Sequence, residues 1–310
     1  PGFQQARNSA LAAVMRRDGG KAADYAQRHG VPRWYADGRK LIEDPGVDAV
    51  YIATPPNAHA EYTHLAAQAR KPVYVEKPMA RNHGECQRML AACRKAGVPL
   101  FVAFYRRALP RFLKVKELID SGALGAVRAA TVTLHLAMGE AERSPGPKPW
   151  RVVPEIAGAG LFLDLASHTL DVLDFMLGPI REVRGKADNL AGCYEAEDTV
   201  SAQFTFASGV LMTGLWCFDA PGALDRVELI GTQGRASFSM FDEEPVTLWT
   251  KAGLVKFPLA NPKHIQQPLI QSIVDELNGA GQCPSTGESG ARTSWVMDEC
   301  LKEWRERRQH

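Results

Sequence analysis

A lysine closes the hydrophobic run Val73-Tyr74-Val75-Glu76-Lys77-Pro78. At the end of a buried strand, desolvation draws an ammonium group towards acid–base values. The proline behind it keeps Lys77 extended. The plainer reading is a rim lysine paired to Glu76. Further on, Gly158-Ala159-Gly160 opens a segment in which Asp164, His168 and Asp171 stand at i, i+4 and i+7. That spacing puts them on one face of a helix otherwise clothed in Leu, Ala, Phe and Val. Ionisable groups there need partners, water or a ligand, and histidine is the usual proton carrier near neutral pH. A core histidine held by its carboxylate neighbour fits the same spacing, while a metal site lacks an evident third ligand. Two more segments carry chemistry. Ala53-Thr54-Pro55-Pro56-Asn57-Ala58-His59 follows a strand-like run, at the edge where ligands of doubly wound sheets lie, with Asn57 placed to cap the next helix. Pro149-Trp150-Arg151 offers a guanidinium for phosphate or ring stacking, or simply a Trp anchor for a surface loop.

The elements that position these groups fall into two patterns. Up to residue 104 the chain alternates strand and helix: strands at Leu11–Met15, Val47–Ala53, Pro72–Val75 and Pro99–Phe104, and helices at Lys21–His29, 57–69 and Glu85–Ala96. Gly30 and Gly97 close the first and last of these helices. Strands spaced by helices predict a doubly wound parallel sheet. From residue 105 onward the pattern changes. A helix is expected at Arg111–Ser121, a strand at Val127–Ala137, a loop at Gly139–Glu155 and an apolar helix at Leu161–Leu177. About six strands follow between Ile180 and Phe257, then helices at Ile265–Asn278 and Gly290–Arg305. Strands without intervening helices predict a large, mostly antiparallel sheet. The expected division is therefore 1–104 and 105–310 within an α/β protein. The chain opens on Pro1 without a glycine-rich GxGxxG turn, so a preceding segment is expected to hold the first strand.

Composition narrows the class. In 310 residues, 45% hydrophobic and 23% charged is ordinary for a globular protein, and 37 basic against 35 acidic residues leave a net charge of +2. No clustered basic excess for nucleic acid occurs outside Arg305–Arg308, and the longest apolar stretch, Leu161–Leu177, is broken by Asp164, His168, Asp171 and Asp174. No nucleic-acid or membrane partner is expected. Six scattered cysteines with no CxxC pair suit a reducing, cytoplasmic setting.

In order and spacing, AVYIATPPNAH, VYVEKPMA and GAGLFLDLASHTLDVLDFMLG resemble the Gfo/Idh/MocA family of NAD(P)-dependent oxidoreductases. The resemblance implies an N-terminal Rossmann domain, a second α/β domain with an open sheet, and hydride transfer between NAD(P) and a sugar, polyol or related hydroxy compound. It implies that His168 is the general acid/base, that Lys77 polarises the reacting oxygen, and that Asp164 orients substrate or imidazole. Thr54, Pro55, Asn57, His59 and Glu76 match positions lining the dinucleotide. Trp150 and Arg151 match a pair lying at the cofactor in some reductases. The rival implication is a non-catalytic dinucleotide or sugar sensor of the same fold. Arg16-Arg17, ending the Leu11–Met15 strand where a ribose 2′-substituent is read, favours NADP, with Asp18 either capping the next helix or selecting NAD. Residues such as Leu211, Leu215, Trp216 and Phe218 on an open sheet favour a homodimer or homotetramer.

Overall fold

In the computed structural model, which describes residues 2–308, the first part runs α1 (Gly2–Gln5), β1 (Ala13–Met15), α2 (Gly19–His29), β2 (Arg33–Tyr35), α3 (Gly38–Glu43), β3 (Val50–Ile52), α4 (His59–Gln68), β4 (Val73–Val75), α5 (His83–Ala96) and β5 (Leu100–Val102). Local chemistry sets the helix ends. Asp18 accepts the Lys21 N–H at 3.0 Å to open α2, and Asn82 caps α5. Gly30 and Gly97 close these helices in the left-handed conformation that favours glycine. Strands β3, β4 and β5 pair in parallel and in register, Ile52 beside Val75 beside Val102, so all three end at one edge.

Three features depart from expectation. The strand β2 and helix α3 were not anticipated: Arg33-Trp34-Tyr35 is short and largely exposed, and α3 has too few turns for a periodic signal. Asn57 lies inside the 3₁₀ turn Pro56–Ala58 and caps nothing; α4 begins without a side-chain cap. The parallel strands form two sheets, β1–β2 and β3–β4–β5, rather than one. In a doubly wound order the place between the second and fourth strands belongs to the first strand, which has no counterpart among the described residues.

The second part runs α6 (Pro110–Asp120), β6 (Val127–His135), the short helices α7 (Glu140–Arg143) and α8 (Pro154–Ala157), and α9 (Leu161–Leu177). Seven strands follow: β7 (Ile180–Asp188), β8 (Thr199–Phe206), β9 (Leu211–Cys217), β10 (Leu224–Gly231), β11 (Gly234–Phe238), β12 (Val246–Thr250) and β13 (Gly253–Phe257). With β6 they make an eight-stranded sheet ordered β13-β12-β11-β10-β6-β9-β8-β7, antiparallel except at β6–β9. Alternation sorts its faces. Phe204, Met212 and Trp216 point inward against α9, where Phe162 meets Trp216 edge-on at 5.1 Å. Burying each such side chain contributes about 1.5–3 kcal/mol. Trp216 and Phe218 are thus core residues, not outer-face residues as expected; Leu211 and Leu215, one step out of phase, are the exposed ones. By length and composition Pro154–Leu177 could cross a bilayer, yet most of it is buried in this core.

Helices α10 (Gln267–Leu277) and α11 (Gly287–Arg307) return to the first part. Leu269 and Ile270 pack with Tyr74 and Phe101, and the Ser285 hydroxyl donates to the Val102 carbonyl at 2.7 Å.

Candidate active site

The carboxyl edge of β4 presents Glu76 and Lys77. Glu76 accepts from Gln266 Nε2 at 2.8 Å, from the Tyr51 hydroxyl, and from the Lys77 backbone N–H at 3.1 Å. That carboxylate therefore holds the turn rather than the lysine ammonium. Lys77 Nζ instead donates to Asp164 Oδ1 at 2.5 Å and to the Asp164 carbonyl at 2.9 Å, across the boundary between the two parts. The neighbouring strand-end turn is tied to this one by His59. Its wholly buried ring sets one nitrogen 2.8 Å from the Thr54 carbonyl and the other 3.1 Å from the Pro78 carbonyl. Burial holds its pKa below the usual histidine value, so at neutral pH the ring carries one N–H and donates to one of these carbonyls while packing against both turns.

Asp164 stands in the first turn of α9, and its second oxygen accepts from Arg151 Nε at 3.1 Å. The Arg151 guanidinium lies 4.5 Å from the Trp150 ring centroid, so the Trp150-Arg151 pair borders the same carboxylate. His168, one turn further along α9, is buried edge-on to Tyr105 at 5.4 Å, Phe241 at 6.1 Å and Phe104 at 6.3 Å. Its Nδ1 is buried without a hydrogen-bond partner among the described residues. Burial first, then the charges of Arg106 and Lys77, hold His168 well below its ordinary pKa. The imidazole is therefore neutral at neutral pH.

The third member of the spacing leaves the site. Asp171 is fully buried in a two-point pair with Arg107, at 2.7 and 2.8 Å. A rise of about 1.5 Å per residue carries it roughly 10 Å along the axis from Asp164, so a shared face does not mean a shared site. Conversely, the sequence reading passed over Arg106 and Phe241. Arg106 is buried between the rings of Tyr105 (5.0 Å) and Phe241 (4.8 Å), with Nε donating to the Met240 carbonyl at 3.0 Å. Two arginines directly after the run ending at Phe104 were a usable signal. Phe241 gave none, because only tertiary folding brings its loop to His168.

At the other strand ends, Pro55 and Asn57 are exposed, while Thr54 Oγ1 is buried and without a partner among the described residues. Arg16 and Arg17 are exposed beyond β1 and make no side-chain hydrogen bond or ion pair among the described residues, whereas Asp18 is engaged as the α2 cap.

Residues 1–104 match the model of an oxidoreductase family with an NAD-binding Rossmann fold, and residues 112–237 match the GFO/IDH/MocA C-terminal domain. The chain belongs to the GFO/IDH/MocA oxidoreductase family. An oxidoreductase from Formosa agariphila is 35% identical over 96% of this chain and 92% of its own. The myo-inositol 2-dehydrogenase of Thermotoga maritima is 31% identical over 73% of this chain and 67% of its own. In fold, the chain superposes on a levoglucosan dehydrogenase solved with NADH and levoglucosan, with a TM-score of 0.87 at 22% identity, covering 98% of this chain and 90% of that one.

Proposed function

We propose that this enzyme moves a hydride between NAD(P) and a hydroxyl-bearing carbon of a sugar, polyol or related compound. The carrying observation is the Lys77–Asp164 pair, at 2.5 Å, one helical turn from a buried imidazole with an unpartnered nitrogen. The donor set fits a dinucleotide: an orphaned Thr54 hydroxyl, an exposed Asn57 amide, and guanidiniums at Arg151, Arg16 and Arg17. Thr54, Pro55, Asn57, Trp150 and Arg151 would hold it, with His59 and Glu76 fixing the two turns beneath. When bound, the nicotinamide supplies the hydride acceptor or donor.

The chain's own residues do the rest. In the oxidative direction neutral His168 takes the hydroxyl proton, and in reduction it returns it. The Lys77 ammonium donates to the same oxygen and stabilises the charge that develops there. Asp164, shared with Arg151, fixes where that ammonium points. Phe104, Tyr105 and Phe241 exclude water from the imidazole and keep it uncharged.

Three finer readings accompany this one. NADP is the preferred cofactor, because Asp18 is spent on a helix cap while Arg16 and Arg17 lack acidic partners among the described residues. The chain works as a homo-oligomer through the outer face of the large sheet. It resides in the cytoplasm, where its six free cysteines stay reduced. The division into residues 1–104 and 105–310 is functional as well as topological, with Lys77 from one part and His168 from the other. The test is a panel of sugars, polyols and their keto forms assayed by the near-ultraviolet absorbance of reduced nicotinamide. Cofactor-dependent turnover of at least one of them is expected. Cofactor and sugar binding without turnover across the panel would make the protein a sensor instead.

A further inference from the structure

The helix that delivers Asp164 begins without a cap of its own. Gly160, its N-cap residue, has no side chain to satisfy the free N–H groups of the first turn. Glu197, from the segment entering β8, fastens the N-cap residue itself: its two carboxylate oxygens share the Gly160 N–H at 2.9 and 3.1 Å. The approach is close enough that a Cβ on Gly160 would lie 2.5 Å from the Glu197 carbonyl oxygen. On the other side Gly158, at a φ of 93°, lies so near the Lys77 loop that a Cβ there would meet the Arg81 carbonyl oxygen at 2.3 Å. The Gly-Ala-Gly turn is therefore gripped between Glu197 and the end of the loop that starts with Lys77. Glu197 itself is 0% exposed and has no ion pair among the described residues. A buried carboxylate without a cation is costly, and a structural cap would not require one.

We infer that Glu197 is a positioning residue, whose carboxylate sets the first turn of α9 and thereby holds Asp164 on Lys77. The inference rests on the catalytic reading of Lys77 and Asp164 above. Its surroundings make the grip sensitive to pH. Burial pushes the Glu197 carboxyl up to about 7, opposed by its own backbone N–H, by the Gly160 N–H and by Arg305 of α11, with Asp198 adding to the rise and Tyr194 also facing it from the same segment. Protonation leaves a weaker acceptor at the helix start, so the turn loosens as pH falls through this range.

Glu197→Gln keeps the size and one acceptor oxygen but cannot ionise. Wild-type kcat should rise with pH through about 7, while E197Q stays flat, about 3–10-fold lower on the alkaline side. Competitive acetylation of the lysines, read by peptide mass spectrometry on the protein without substrate, should show Lys77 labelled about threefold more in E197Q, with the other lysines unchanged. Above neutral pH the variant should melt higher than wild type, since it buries no charge; a cap that served stability alone would make it melt lower. Glu197→Asp keeps the charge but shortens the reach, and should also raise Lys77 labelling, which keeps the test decisive if the glutamine variant does not fold. Unchanged Lys77 labelling in the folded variant overturns the inference. Absence of turnover in wild type would instead overturn the catalytic reading, leaving the labelling result to stand by itself.

Discussion

His168, the proposed proton carrier, has no carboxylate behind it. Asp164 is committed to Lys77 and Arg151, and the ring is enclosed by aromatic edges. Its basicity is set by burial and by two nearby cations, so it stays deprotonated well below its ordinary pKa. His168→Ala should lower kcat by about 10²–10⁴-fold with cofactor affinity nearly unchanged. Turnover equal to wild type on a substrate of the native enzyme would remove the residue from the mechanism. The ionisation near neutrality expected in the wild-type profile is that of Glu197, and it should be absent from Glu197→Gln. At the cofactor end, Arg16→Ala with Arg17→Ala should weaken NADPH by about tenfold or more and leave NADH nearly untouched, because only the 2′-phosphate needs both guanidiniums. Fluorescence titration decides this; tighter NADH binding by the unaltered protein would reject the NADP preference. The types of these residues were legible in the sequence. Their protein partners were not: nothing in the sequence pointed from Glu76 to Gln266 and Tyr51.

At the scale of elements, α9 is a beam with two ends. Its first turns hold Asp164 and His168, the proposed site residues, and its last turns are bolted to the fold by Arg107 on Asp171 and Asp174, with Arg292 on Asp174 at 2.7 and 3.0 Å. Arg107 comes from the turn just after β5, so this buried pair also ties the helix to the strand end beside Lys77's own. Arg107→Met would leave Asp171 charged and unpaired in the core, at a cost of about 3–5 kcal/mol. Denaturant unfolding measures it, and a loss below about 1 kcal/mol would show that the pair does not anchor the helix. The bounds of α9 followed from its glycines and apolar run, Leu161–Leu177 in both readings. What the pattern could not show was which of its acids reach the site. The helical period fixes a face but leaves position along the axis, and the partners waiting there, to tertiary structure. The same reason hid β2, whose three residues carry no period and whose pairing with β1 is non-local.

At the scale of the whole molecule, the eight-stranded sheet covers one face with α6, α9 and α11 and leaves the other bare among the described residues. A solvated sheet face should read polar. Here the register sets Thr131, Thr213 and Gln203 across the middle, with Arg226 and Arg235 paired to Glu228 nearby. Beside these polar rows stand Leu211, Leu215, Leu224 and Ile230, all exposed, Leu211 by 59%. One such side chain is unremarkable, but three leucines and an isoleucine on one flat face are not easily left in water. A second copy related by a two-fold axis would cover them with the same surface, leucines against leucines and threonines across threonines, as an isologous interface requires. A stable pair would bury about 1,600 Å² in total, an area that an eight-stranded face can supply. The protein should therefore run as a dimer or tetramer by light scattering at micromolar concentration. Leu215→Glu, which places like charges opposite each other across that axis, should release monomers whose circular dichroism matches wild type. Because Lys77 and His168 lie on the covered side of the sheet, those monomers should still bind cofactor. A wild-type protein already monomeric under these conditions would show that the bare face is simply tolerated.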